Sequence, residues 1–414
     1  MISKRAYYPW LLVGLLCIVG CLNYLDRMTI TTMRTSIIEV IPMTDAEFGL
    51  LTSVFLWVYG LASPLAGYLA DRFNRSKVII GSLFVWSLVT WLTSLATSFE
   101  QLLAARALMG ISEACYMPAA MALIMDWHTG KTRSTATGVH VAGVMVGQSL
   151  GFIGGWLAET HSWHYAFSIF GIVGIGYAAI LVFLLHDRKA VIEEATFGNA
   201  PVAPQKSQTD LKVALKQLFG NPSFITVLLI WGISGAISWM VNGWLPTFYK
   251  ERFDLSQTEA GVYSTAYFFP AMLVGVIGGG ALADWWSRTN VRARMWLPAI
   301  GFLIAVPAVF IASYTLLLWA TVAGFLVYAL TRPFIDANMM PILGMIADKR
   351  YLATGYGFLN LCSCVIGGIG IYIAGALRDK HVDLTLIFQL AALSMVVCAL
   401  LLFRLKPKAR PADE

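Results

Sequence analysis

Twelve separate runs of mainly apolar residues punctuate the chain. Each is close to the roughly 20 residues that a helix needs to cross a hydrocarbon layer. Their expected limits are 8–33, 46–70, 77–97, 100–126, 135–158, 163–186, 223–246, 258–283, 295–314, 316–347, 352–377 and 384–404. Inside a bilayer only helices and closed barrels satisfy every backbone N–H and C=O, so runs of this length predict an all-α membrane protein. Charge is scarce between them: 29 Lys and Arg with 23 Asp and Glu, 13% of 414 residues. A water-soluble surface requires about twice that fraction, which argues against a soluble enzyme, a nucleic-acid binder and a disordered scaffold. The first run could mimic a signal peptide, yet no small-residue cleavage site follows and it passes straight into Asn23-Tyr24-Leu25-Asp26-Arg27. It is expected to be a retained first span. All six cysteines (Cys17, Cys21, Cys115, Cys362, Cys364, Cys398) fall inside apolar stretches with no CxxC spacing, so neither a disulfide framework nor a metal site is expected.

The longest polar stretch, 187–222, divides the spans into six and six. The expected organisation is an N-terminal bundle (1–186), a linker carrying an amphipathic helix near 209–219, and a C-terminal bundle (223–414) with a short tail. Lys and Arg alternate in density from loop to loop, 21 on one side and five on the other. Cationic loops stay on the cytoplasmic face, so both termini and the linker are expected there. Topology thus accounts for the net charge of +6 without a nucleic-acid partner.

The two halves repeat each other. Gly67-Tyr68-Leu69-Ala70-Asp71-Arg72 is answered by Gly280-Ala281-Leu282-Ala283-Asp284-Trp285, and Thr44-Asp45-Ala46-Glu47-Phe48-Gly49 by Ser256-Gln257-Thr258-Glu259-Ala260-Gly261. Glu113-Ala114 with Met117-Pro118 in span four matches Asp336-Ala337 with Met340-Pro341 in span ten, with the same gap from acid to proline. Parallel repeats of this kind predict two pseudo-symmetric six-helix bundles sharing a cavity near the membrane midplane.

Gly67-x-Leu69-Ala70-Asp71-Arg72-x-x-Arg75 resembles the signature loop of the major facilitator superfamily, and Arg106-x-x-x-Gly110 resembles its second motif. Tyr24-Leu25-Asp26-Arg27, Arg106 with Glu113, and Trp244-Leu245-Pro246-Thr247, read as closing span seven, resemble the anion:cation symporter branch, which carries sugar acids and other organic anions. Spinster-like lipid transporters share Asn23-Tyr24-x-Asp26-Arg27, Asn74-Arg75 and Glu113-Ala114-x-Tyr116. In the resembling symporters the acids at these positions carry the coupling proton, and the arginine at the place of Arg106 switches partners with them.

Six ionisable residues lie well inside the apolar runs: Asp26, Arg27, Arg106, Glu113, Arg332 and Asp336. A charge at a helix centre costs ~3 kcal/mol even on lenient insertion scales, so each needs a partner or water. Arg106 and Glu113 are about two turns apart on one face, too far to pair directly, and span one offers Asp26 and Arg27 instead. Glu113 and Asp26 are the proton-site candidates, with a fixed ion-pair network as the alternative; Arg106 and Asp336 are also proton-coupling candidates. The guanidinium of Arg27 presents a planar fork to a carboxylate or phosphate; neutralisation by Asp26 is its alternative. Arg332 and Asp336, at i and i+4, can pair on one helix face, or Arg332 can supply a second cation. The uncharged span ten usual in sugar-acid carriers is absent.

Tyr24, His140, Gln148, Trp239, Asn242, Tyr328 and Asn338 complete the cavity candidates, with His140 also a proton-coupling candidate; packing is the competing role for each. Gly67, Asp71, Arg72, Arg75, Gly280, Asp284 and Arg288 are gate candidates, Gly67 through close helix approach. Span five carries Gly138, Gly143, Gly147 and Gly151, resembling the superfamily's antiporter motif without its proline, which leans toward symport.

The expected function is proton-coupled symport of a small organic anion, such as a sugar acid, by alternating access. Na⁺ is the alternative coupling ion. A Spinster-like lysolipid transporter and an organophosphate or neutral-sugar carrier are the alternative functions. No nucleophile–base pairing or phosphate-cradling loop suggests an enzyme. No cofactor is expected, and a monomer in a bacterial inner membrane is.

Overall fold

The computed structural model describes residues 2–128, 132–187, 211–348 and 351–405, excepting the side chains of residues 2–6, 71, 211 and 353. Twelve helical spans are long and apolar enough to cross a membrane: Tyr7–Thr32, Asp45–Ala70, Arg75–Thr93, Phe99–Trp127, Arg133–Thr160, Trp163–Leu184, Pro222–Phe253, Gln257–Trp286, Ala293–Tyr314, Leu318–Ile346, Thr354–Asp379 and Leu384–Arg404. They are numbered one to twelve below. No strand occurs among the described residues.

Local signals explain where the spans begin. Thr44 and Glu47 form a reciprocal capping box at the start of span two, and Ser256 and Glu259 form its counterpart at span eight. Each box satisfies two N–H groups that a helix start leaves without partners, so the sequence repeat is also a structural one. Span seven departs from expectation. Pro246 lies inside the helix, which continues to Phe253 and ends on Asp254 at φ 50°. Trp244-Leu245-Pro246-Thr247 therefore sits in the last third of the span and does not close it. A proline removes one N–H and strains one turn, and tertiary contacts hold the helix through it: Trp244 Nε1 donates to the Ile371 carbonyl at 3.2 Å.

Contacts divide the chain into two units, Met1–Gln205 with Leu255–Ala266, and Lys206–Asp254 with Tyr267–Glu414. The opening of span eight thus packs in the first unit although the rest of that span belongs to the second. Side-chain chemistry accounts for this: Gln257 Nε2 donates to Ser36 Oγ (3.0 Å) and to the Gly155 carbonyl (3.2 Å), Thr265 Oγ1 donates to the Ser149 carbonyl (3.2 Å), and Thr258 bonds Glu159. A wide π turn at Val262–Ala266 marks the crossover. In the second unit the amphipathic linker helix covers Leu211–Phe219 and buries Ala214 and Leu218. Residues 188–210 of the expected linker lie outside the described residues.

Span five packs on span one almost backbone to backbone. A Cβ at Gly147 would stand 2.1 Å from the Cys21 carbonyl oxygen, and one at Gly143 would stand 2.9 Å from Cys17. Gly147→Leu is expected to overpack this seam and cost about 3 kcal/mol, read as a lowered thermal-aggregation midpoint in detergent. Gly138→Ala is the control, because nothing lies within 4 Å of a Cβ there. The six cysteines are free thiols, two buried and four half-buried.

Candidate functional site

In the first unit, span one delivers Arg27 to Glu113 of span four. Arg27 Nε donates to Glu113 Oε2 at 2.7 Å, and both side chains are almost wholly buried. Three rings surround the guanidinium, with its carbon 4.5 Å from the Tyr24 centroid, 4.9 Å from Phe55 and 4.5 Å from Tyr59. Such faces stabilise a cation without neutralising it. The pair is incompletely used, since Arg27 Nη2 and Glu113 Oε1 have no partner at hydrogen-bond geometry. Span four tightens by one turn at Cys115 (φ −74°, ψ −21°), two residues after Glu113, where the Cys115 N–H donates to the Ser112 carbonyl at 3.3 Å.

Arg106 and Glu113 do not pair, as their spacing predicts. Arg106 is 1% exposed; its Nε donates to the Leu51 carbonyl at 3.4 Å, its carbon lies 4.8 Å over Phe55, and Nη2 is unpartnered. Asp26 is not the counter-ion of its neighbour Arg27. It turns to span three and accepts from Thr90 Oγ1 at 3.3 Å. His140 packs as a bonded bundle histidine: the Tyr116 hydroxyl donates to the Leu16 carbonyl (2.8 Å) and lies 2.7 Å from His140 Nε2. Because the hydroxyl proton is already committed, Nε2–H is the donor to Tyr116 and Nδ1 carries the lone pair. Gln148 is half-buried on span five.

In the second unit Arg332 Nη1 donates to Asp336 Oδ2 at 2.6 Å, the i and i+4 pair that the spacing allows. Nη2 of the same arginine donates to Ser234 Oγ (3.0 Å) and to the Ser234 carbonyl (3.3 Å) of span seven. Asn338 donates to the Phe334 carbonyl at 2.9 Å and leaves its Oδ1 unpartnered. Tyr328 is buried and stacks on Phe268 at 6.0 Å. Trp239, half-buried, lies over Gly367, where a Cβ would come within 2.5 Å of the indole. Asn242 is half-buried.

The gate candidates have separate local partners. The close approach expected at Gly67 is absent, since nothing lies within 4 Å of a Cβ there, and at Gly280 the nearest atom is Ala337 Cβ at 3.8 Å. Arg72 donates to Tyr68 Oη at 2.6 Å, Arg75 pairs with Asp126, and the Arg75 N–H donates to Asp187 Oδ2 at 3.0 Å. Arg294 pairs with Asp284 at 2.6 Å, and Arg288 is exposed. The Asp71 side chain lies outside the described residues.

Twelve spans, a duplicated capping box and duplicated acids in spans four and ten accompany a match of the major facilitator superfamily's sequence profile to residues 16–371. The chain belongs to the major facilitator superfamily. Protein spinster homolog 1 of Rattus norvegicus is 28% identical over 390 residues, covering 89% of this chain and 73% of that one. A probable galactarate/D-glucarate transporter, GudP, of Escherichia coli K12 is 25% identical over 390 residues, covering 88% and 86%. Among solved structures, a bacterial homolog of the human lysosomal transporter Spinster, in an inward-facing and unoccupied conformation, superposes with a TM-score of 0.78 at 23% identity, covering 96% of this chain and 95% of that one. These relatives are transporters of the superfamily and not enzymes, and this chain is a multi-pass membrane transporter of the same class.

Sequence reasoning did not find Phe55 and Tyr59, the two span-two rings around Arg27, nor Thr90 and Ser234, which hold Asp26 and Arg332. Phe55 and Tyr59 are spaced i and i+4 on one helix face, a weak signal in a chain with 13% aromatic residues.

Proposed function

We propose that the protein is a proton-coupled symporter of a small organic anion, working by alternating access in a bacterial inner membrane. The observation that supports this most is the buried Arg27–Glu113 pair, in which Arg27 Nη2 has no partner at hydrogen-bond geometry. A proton on Glu113 removes the charge that holds Arg27, and the guanidinium then offers its fork to the carboxylate of the solute. Arg106, buried and without a carboxylate at bonding distance, is the cation to which Asp26 turns when Arg27 is taken. Proton and anion thereby bias the conformational equilibrium through differential affinity. Tyr24 and Gln148 in the first unit, and Trp239, Asn242, Tyr328, Arg332 and Asn338 in the second, are the proposed solute contacts. His140 is a proposed proton-coupling group. The glycines and charges of the two GxLAD loops are the proposed gates.

A sugar acid is the favoured solute, supported by the likeness to the probable galactarate/D-glucarate transporter. A lysolipid is the second reading, favoured by the likeness to the spinster homologs. A counterflow competition panel separates them. D-glucarate and other carboxylates are expected to compete for entry, with neutral sugars and lysolipids inactive; competition by lysolipids alone would replace the anion reading.

A further inference from the structure

Span ten repeats two features of span four. Asp336 holds in the second repeat the place that Glu113 holds in the first, each followed by alanine and, five residues on, by proline. Both spans also carry a tightened turn near their acid. In span four it lies at Cys115 (φ −74°, ψ −21°), two residues after Glu113, and in span ten at Arg332 and Pro333 (φ −58° and −68°), the proline three residues before Asp336; both spans stay helical through it.

The way Arg332 is held suits a carboxyl that loses and regains its charge. A buried pair that is purely structural collapses when one member is neutralised, since the other charge is stranded. Arg332 has a second anchorage on Ser234, through Oγ at 3.0 Å and the carbonyl at 3.3 Å, so protonation of Asp336 leaves the guanidinium bonded. Asp336 is the more open partner, at 28% exposure against 7% for Arg332. Among the described residues, the titratable side chains set against the pair are Tyr328 of span ten and Cys398 of span twelve, with the Ser238 hydroxyl of span seven beside Tyr328. Neither of those two brings a charge that would substitute for Asp336 at neutral pH.

We propose that Asp336 is a second proton-carrying carboxyl of the transport cycle, so that two protons accompany each solute, one on Glu113 and one on Asp336. The inference rests on the symport reading above. Asp336 takes up one proton on the loading side and gives up that same proton on the other, and no heavy atom or electron pair changes hands.

The test uses the full chain in liposomes held at zero membrane potential, with D-glucarate as probe, and reads the pH gradient at which net flux stops. For two protons, a tenfold solute ratio is balanced by about half a pH unit; for one proton, by about one unit. The wild type is expected at the half-unit value, Asp336→Asn at the whole-unit value, and Asp336→Glu back at half a unit. With two protons the dianion moves without net charge, so Asp336→Asn should also make uptake sensitive to an imposed potential. A wild type that balances at a whole unit, or an Asp336→Asn variant unchanged from wild type, overturns the proposal and leaves single-proton symport standing. Failure of the wild type to concentrate any carboxylate under the gradient overturns the symport reading itself, and the proposal with it.

Discussion

Glu113→Gln is expected to lose one of the two coupled protons, so that a tenfold solute ratio needs about one pH unit instead of about half a unit, while solute exchange between the two faces continues. Glutamine keeps the size of the carboxyl and can still accept from Arg27 through its amide oxygen, but it carries no titratable proton. The buried guanidinium therefore stays bonded, and the variant should remain folded. What it loses is the change of charge that makes Arg27 available in one protonation state and not in the other. Uptake under an imposed gradient and counterflow without one separate the two effects in a single preparation. Normal accumulation by Glu113→Gln would remove Glu113 from the coupling step.

Arg27→Lys should weaken anion binding by roughly 100-fold, the loss of one of two parallel charge-assisted bonds at about 1.4 kcal/mol per tenfold. Lysine keeps the positive charge inside the Tyr24, Phe55 and Tyr59 box, so the change isolates fork geometry from charge. Arg27→Ala asks a different question. It strands Glu113 at 0% exposure and should cost about 3–5 kcal/mol of stability, much of it recovered in the Arg27→Ala/Glu113→Gln double variant. Unchanged affinity in Arg27→Lys, with a large stability loss in Arg27→Ala, would make the pair a structural clamp.

Much of the fold was legible because a bilayer imposes few solutions. Length and apolarity set the twelve spans, and the repeated Thr44–Glu47 and Ser256–Glu259 boxes marked equivalent helix starts in both halves. Pro246 misled because local chain chemistry says stop where packing against Ile371 says continue. The assignment of Leu255–Ala266 to the first unit depends on Gln257 and Thr265 finding acceptors on distant spans, which no local pattern encodes.

At the site, spacing alone ruled out a direct bond between Arg106 and Glu113 and allowed the Arg332–Asp336 pair. It could not tell which member of Asp26-Arg27 would meet Glu113. Adjacent helical residues point about 100° apart, and only the packed bundle shows Arg27 turned to span four and Asp26 to span three. Gly67 shows the opposite limit. A glycine in a known motif suggests close packing, yet the structure leaves open space around it.

If a proton gradient drives an anion through this protein, liposomes that carry the purified wild type should show it as uptake of the anion. With the outside made acidic, D-glucarate is expected to accumulate above its external concentration and to run back out when a protonophore collapses the gradient. D-glucarate that enters only to equilibrium, at the same rate with and without the gradient, would mean that protons do not drive its transport.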